Sequence, residues 1–341
     1  MYDIYIKYIL NYFHHYSVVF FLMISNQGIT DMQKFFLSML SLPFLMLLSS
    51  CYADTQYPVK EVISGIYYHQ GVHEEPAESN IGAIANVGFI IGEQCVAVID
   101  SGGSYLEGSY LRQAIKNTTK LPICYVINTH VHPDHIFGNA AFKDDQPTYV
   151  GHEKLAAAIA AREGYFAKTF EVTLGKAYTG TEFISPTLTA SIDKPITINL
   201  GNRELILTAY STSHTDHDLT VLDSKTKTLW TGDLLFMGRI PVMDGSINGW
   251  IKTMTQMQTM DINFLIPGHG EASSDKWQQG LKKQLDYFTL LRDEIRVIIE
   301  DLGTIDQASK EVGILEQNSW ELFEHYHRRN VTASFVQLEW E

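Results

Sequence analysis

The sequence predicts one α/β domain with a helical C-terminal extension. Short apolar runs bounded by turn residues recur between residues 87 and 266, as strands do. A β-β-α-β rhythm leads into a cluster of histidines. Near the end, Leu285, Phe288, Leu291, Ile295, Ile298 and Ile299 recur close to a 3.6-residue period, which predicts a long helix over residues 282–301. No repeat, low-complexity tract or long linker divides the chain.

The elements follow in order. After a polar entry segment, residues 87–91 and 95–99 are apolar runs separated by Gly92-Glu93, a hairpin signal. Residues 105–116 have helical spacing, and residues 123–127 form a further strand run. The alanine-rich stretch 154–162 predicts a helix. Residues 196–199 and 204–210 alternate like strands, and 219–222 with 228–231 form a hairpin around Ser224-Lys225. A short strand, 264–266, stops at Pro267. The chain turns helical from Trp277, Gly303 breaks the long helix, and residues 316–326 predict a further short one. Tyr178 and Phe183, in a Gly/Thr-rich stretch, are either core packing or part of a flap.

At about 150 residues per domain, 341 residues fit two domains or one large domain with appendages. Apolar residues make up 45% and charged residues 19%, enough for a sizeable core. The net charge of −14 excludes the basic face that nucleic-acid binding needs, and docking by charge on an anionic membrane. Three cysteines are too few for a disulfide scaffold or a four-cysteine metal module.

Residues 32–51 read as a secretory signal peptide: Lys34, an apolar run from Phe35 to Leu48, then Ser49, Ser50 and Cys51. The end resembles a bacterial lipobox, in which Cys51 takes a lipid anchor; cleavage after Ala53 is the alternative. The run is shorter than the roughly 20 residues of a membrane span, and Pro43 interrupts it. Residues 1–31 are unusual ahead of a signal peptide, and the expectation is that translation starts at Met32. The protein is therefore expected to be exported to a periplasm. Cys95 and Cys124 each open a strand-like run and are either a pair on adjacent strands or buried thiols. The expected organisation is 1–31 start-site artefact, 32–51 signal peptide, 60–280 main α/β domain and 281–341 helical extension.

Residues 128–135 read Asn-Thr-His130-Val-His132-Pro-Asp134-His135, four metal-capable side chains within six residues directly after a strand run. A strand fixes the base of such a loop, and the loop can curl several ligands around one point. Three later segments repeat the device of strand, turn residue and ligand-capable side chain. They carry His214 and His217 in residues 210–218, Asp233 after Gly232, and His269 between Gly268 and Gly270.

Together these segments resemble the metallo-β-lactamase superfamily, over about residues 60–280. The resemblance implies a four-layer αβ/βα sandwich with metals in a cleft at one edge of the two sheets. It implies that His130, His132 and His214 hold a first metal, that Asp134, His135 and His269 hold a second, and that Asp233 bridges them. His217 matches no ligand position and is expected in the cleft or behind the ligands. Lactamases with a cysteine ligand on the second metal need that cysteine late in the chain, whereas Cys95 and Cys124 precede the motif. A bridging Asp233 favours esterase-like or glyoxalase-like relatives. The chain is also similar to the exported quinoprotein relay system zinc metallohydrolases, relatives of hydrolases from sulfur-oxidation gene clusters. Segments 86–92, 95–103, 124–130, 239–246 and 329–341 carry that likeness. It implies a periplasmic role near a quinoprotein dehydrogenase.

Histidine nitrogen and carboxylate oxygen suit two Zn2+ ions, and also iron or manganese. The expected reaction is attack of a metal-bridging hydroxide on an ester, thioester or lactam-like carbonyl of a small molecule, with Asp134 orienting the nucleophile and shuttling the proton. No Gly-x-Ser-x-Gly elbow supplies another nucleophile. Arg239 is a candidate clamp for a substrate carboxylate, and His217 a second candidate substrate contact. Two alternatives stand beside this reading. One is a persulfide dioxygenase holding a single Fe2+; the other is a metal-bearing maturation factor that serves a quinoprotein without turnover.

Overall fold

The computed structural model describes residues 57–341. The expected signal peptide, the lipobox at Cys51 and the start at Met32 lie outside the described residues. Seven strands form one sheet: β1 (Lys60–Ile63), β2 (Ile66–His69), β3 (Val87–Ile91), β4 (Val96–Ile99), β5 (Ile123–Ile127), β6 (Thr148–His152) and β7 (Leu188–Ala190). They lie in sequence order, antiparallel from β1 to β4 and parallel from β4 to β7. A second sheet has the order β12-β11-β10-β9-β8, built from β8 (Ile196–Asn199), β9 (Glu204–Ala209), β10 (Leu219–Asp223), β11 (Thr228–Trp230) and β12 (Phe264–Ile266). Only β11 and β12 pair parallel in it.

Side chains alternate across each strand, so each sheet buries two faces. In β4, Ala97 and Ile99 point to the core between the sheets, while Val96 and Val98 point the other way. The inner core joins Ile90, Ile99 and Val150 to Leu205, Leu207, Val221 and Ile266. The outer face of the first sheet is covered by helix α1 (Tyr105–Thr118) through Leu111, Ala114 and Ile115. The outer face of the second takes Leu229 and Leu265 to helices α4 (Ile247–Met257), α5 (Trp277–Glu300) and α7 (Phe323–Leu338). Helices, sheet, sheet and helices make the four-layer sandwich that the resemblance implies.

Helix α2 (Pro133–Ile136) is a single turn carrying Asp134 and His135. Helix α3 runs from Leu155 to Leu174, well past the predicted end at residue 162. Gly164 does not stop it, because Phe166 and Phe170 pack edge-on against Phe137, and that packing outweighs the local cost of glycine. Tyr178 and Phe183 pack on the same Phe137 ring. They are core packing, not a flap. The predicted helix over 316–326 is broken. A 3-10 turn spans Ile314–Ser319, Leu322 adopts a left-handed conformation with φ 58°, and α7 starts at Phe323. A short helix the sequence reading lacked, α6 (Ile305–Glu311), precedes that turn, with Thr304 as its N-cap. Cys95 directly precedes β4 and Cys124 is the second residue of the neighbouring β5, and both are free thiols.

Candidate metal centre

The histidines and aspartates converge at the carboxyl ends of the strands. His130 and His132 follow β5, and His132 sits at the start of α2. His214 lies in the β9–β10 loop, Asp233 in the 3-10 turn after β11, and His269 in the glycine-flanked turn after β12. The glycines are needed for the approach. A Cβ on Gly268 would stand 2.0 Å from Asp233 Oδ1, and one on Gly232, at φ 50°, would stand 2.5 Å from Thr129 Oγ1.

Two groups of ligand atoms form. His132 Nδ1 lies 3.0 Å from His130 Nε2 and 3.0 Å from His214 Nε2. Asp233 Oδ2 stands 3.6 Å from His130 Nε2 and 3.5 Å from His214 Nε2. Asp233 Oδ1 points the other way, 3.1 Å from His135 Nε2 and 3.4 Å from His269 Nε2. Asp134 Oδ2 closes the second group, 3.3 Å from His269 Nε2 and 3.7 Å from His135 Nε2. All seven expected ligands are thus in one place, with Asp233 between the halves.

The outer nitrogens show what the inner ones must do. His135 Nδ1–H donates to Asp100 Oδ2 at 2.7 Å. His214 Nδ1–H donates to the Val242 carbonyl at 2.8 Å, and His269 Nδ1–H to the Ile84 carbonyl at 2.7 Å. His132 Nε2–H faces Asp244 Oδ2 at 3.2 Å. Thr129 gives its hydroxyl proton to Asp100, so its oxygen accepts from His130 Nδ1–H at 3.0 Å. Each outer nitrogen carries a proton, so in the neutral rings the inner nitrogens present bare lone pairs. Three lone pairs about one point repel unless a cation lies between them. His135 Nε2 and Asp233 Oδ1 are buried and face each other, with no other hydrogen-bond partner. This donor set fits two divalent cations, with His130, His132, His214 and Asp233 around one and Asp134, His135 and His269, with Asp233 Oδ1 beside them, around the other.

Charge separates the halves. Burial holds His130 well below the usual imidazole range and His214 down to about 3, so both stay neutral. Burial acts the same way on His135, but Asp233, Asp100 and Asp134 outweigh it and hold its proton well above that range. Burial opposes ionisation of Asp233, and the surrounding histidines overcome it and keep the carboxylate charged. A proton therefore competes with a metal more at His135 than at His130 or His214.

Asp100 and Thr129 lie outside the ligand pattern legible in the sequence. Asp100 had a signal: it ends an apolar strand ahead of Gly102-Gly103, the same device as the ligands. Its carboxylate also accepts from the Thr129 N–H at 2.8 Å, which fixes the loop's base. The centre opens into a cleft of about 440 Å³ whose walls include His132, Asp134, Asp233, Phe236, Arg239 and His269. His217 departs from the expected substrate contact. It is fully buried, off the cleft wall, and turns Nδ1 to Asp216 Oδ1 at 2.7 Å, so substrate cannot reach it. Neither Cys95 nor Cys124 belongs to the ligand groups.

The family model for the metallo-β-lactamase superfamily matches residues 81–269, more than half of the chain. No curated protein matches. Among solved structures, a metallo-β-lactamase from Pontibacter korlensis is 18% identical with a TM-score of 0.55, covering 68% of this chain and 98% of that one. The stereoselective inverting sec-alkylsulfatase Pisa1 from Pseudomonas sp. is 19% identical with a TM-score of 0.61, covering 82% of this chain and 50% of that one. At these identities the likeness is one of fold. With the family match and the fold in agreement, the chain belongs to the metallo-β-lactamase superfamily.

Proposed function

We propose that this protein is a dinuclear zinc hydrolase of small esters or thioesters, exported to the periplasm and working beside a quinoprotein dehydrogenase. One observation carries the dinuclear reading: the two oxygens of Asp233 reach separate ligand groups on the wall of one cleft. Two complete groups favour this over a single iron. The export signal and the likeness of segments 86–92, 95–103 and 329–341 to the quinoprotein relay system metallohydrolases support the location and partner.

When bound, the two cations supply Lewis acidity to the scissile carbonyl and acidify water. The chain's own residues do the rest. Asp134 is on the cleft wall, and although burial opposes its charge, His135 and His269 hold it ionised. Its carboxylate accepts the proton of the attacking water and returns it to the departing oxygen or sulfur as the acyl bond breaks. The products are an acid and an alcohol or thiol. Phe236 stacks on His269 at 4.9 Å between centroids and limits the motion of that ring.

The test is hydrolysis of 4-nitrophenyl esters, a thioester and a β-lactam by protein stripped of metal and then reloaded with zinc. Turnover of an ester or thioester is expected to vanish on stripping and return with zinc. Asp134→Asn is expected to lower kcat by roughly 10²-fold or more. No turnover by the loaded protein, with a dehydrogenase captured from periplasmic extract, would favour the maturation factor.

A further inference from the structure

We propose that Tyr57 and Glu107 form a clasp that positions His135, so that docking of residues 57–59 sets how tightly the second half of the centre holds its metal. This deepens the dinuclear reading and rests on it. Tyr57 and Glu107 belong to neither ligand group and lie off the cleft wall. Glu107 stands in the first turn of α1, where its N–H donates to Oγ of the N-cap Ser104 at 3.1 Å. A glutamate is rarely fully buried unless its charge is matched by partners, yet Glu107 is fully buried. Two donors take its two oxygens. The Tyr57 hydroxyl donates to Oε1 at 2.6 Å, and the Gly103 N–H donates to Oε2 at 2.6 Å. Tyr57 lies 50 residues earlier in the chain and is itself locked in place. Its ring centroid stands 4.3 Å from that of His69, and His69 Nδ1–H donates to the Pro58 carbonyl at 3.0 Å.

Gly103 ends a loop, residues 100–103, that holds α2 at three points. Asp100 Oδ2 accepts from His135 Nδ1–H at 2.7 Å. The Ser101 N–H donates to the His135 carbonyl at 2.9 Å, and the Gly102 carbonyl accepts from the Gly138 N–H at 3.0 Å. The loop lies directly against the carboxylate, since a Cβ on Gly102 would stand 2.5 Å from Glu107 Oε2. A buried carboxylate oxygen left without its donor is costly, and a side chain that moves to relieve the cost takes Gly103 with it. The path thus runs from Tyr57 through Glu107 and the 100–103 loop to His135, a ligand of the second half. The other half leans on the loop through Thr129, which stands between Asp100 and His130, while Asp244 and the Val242 carbonyl hold His132 and His214.

The experiment strips wild type, Tyr57→Phe and Glu107→Gln of metal and titrates each with zinc, with imidazole 15N–1H spectra showing which histidines the zinc has reached. Tyr57→Phe keeps the ring on His69 and removes the hydroxyl. It is expected to weaken zinc binding at His135 and His269 about 10- to 100-fold and at His130 and His214 less than about threefold. In the metal-free protein, the His135 Nδ1–H that Asp100 protects is expected to exchange with water about tenfold faster or more in Tyr57→Phe. Glu107→Gln keeps an acceptor for the Gly103 N–H and a partner for the Tyr57 hydroxyl, so its loss is expected to be smaller. Equal weakening at both halves, or none at His135 and His269, would overturn the clasp. One zinc ion per wild-type chain, with His135 exchange still faster in Tyr57→Phe, would leave the clasp standing and remove the dinuclear reading. Two zinc ions per chain, with affinity and exchange unchanged in Tyr57→Phe, would do the reverse.

Discussion

Asp233→Asn is expected to lower hydrolysis by roughly 10³-fold or more and to lower metal content at both halves of the centre. The substitution keeps the shape of the side chain, so packing against Gly268 is retained. It removes the charge that keeps His135 close on one side and His130 and His214 close on the other. It also turns an NH2 group toward at least one imidazole nitrogen that must present a lone pair. Replacing one histidine removes a ligand from one half, whereas this change strikes both. Elemental analysis and turnover should fall together while the circular dichroism spectrum is unchanged. A variant that kept two metals and full activity would show that Asp233 does not join the halves.

Asn330→Ala is expected to destabilise the fold and to weaken the three-histidine half, although Asn330 touches no ligand. Asn330 lies in α7 and is fully buried. Its Oδ1 accepts the Met243 N–H at 2.9 Å, and its Nδ2 donates to the Pro241 carbonyl at 2.7 Å and to Tyr287 Oη at 3.2 Å. Gln337 repeats the clamp one step on, accepting from Ile247 N–H at 3.1 Å and donating to the Gly245 carbonyl at 2.5 Å. The held loop supplies the Val242 carbonyl to His214 and Asp244 to His132. With about 1–3 kcal/mol lost for each buried group left unpaired, the variant should lose about 3 kcal/mol or more of stability. Metal affinity of the three-histidine half should fall about 10- to 100-fold, as for lost outer partners of metal ligands. Urea unfolding and metal titration check the two effects. Wild-type affinity at both halves in a destabilised variant would show that α7 serves stability alone.

The ligands were legible because each follows its strand within a few residues. His130 and His132 come directly after β5, Asp233 after β11 and His269 after β12, so local spacing carried the pattern. Their supports were not legible, because they come from far along the chain. Asp100 is 35 residues from His135, and Asp244 is 112 from His132. The acceptor for His214 is a backbone carbonyl, to which residue type is no guide. The sandwich followed from the resemblance and several of its strands from their apolar runs, but β7, three residues long and mostly exposed, has no such pattern. The break before α7 rests on Leu322 in a left-handed conformation, which a leucine does not announce. Helix α3 outran its prediction because aromatic contacts with Phe137 outweigh Gly164.

The central claim is that one carboxylate joins two complete metal sites. The most direct test is elemental analysis of the protein, purified without added metal and normalised to its chain concentration. Two zinc ions per chain are predicted from the paired groups around Asp233. One iron per chain would contradict the dinuclear account and point to oxygen chemistry at a single site.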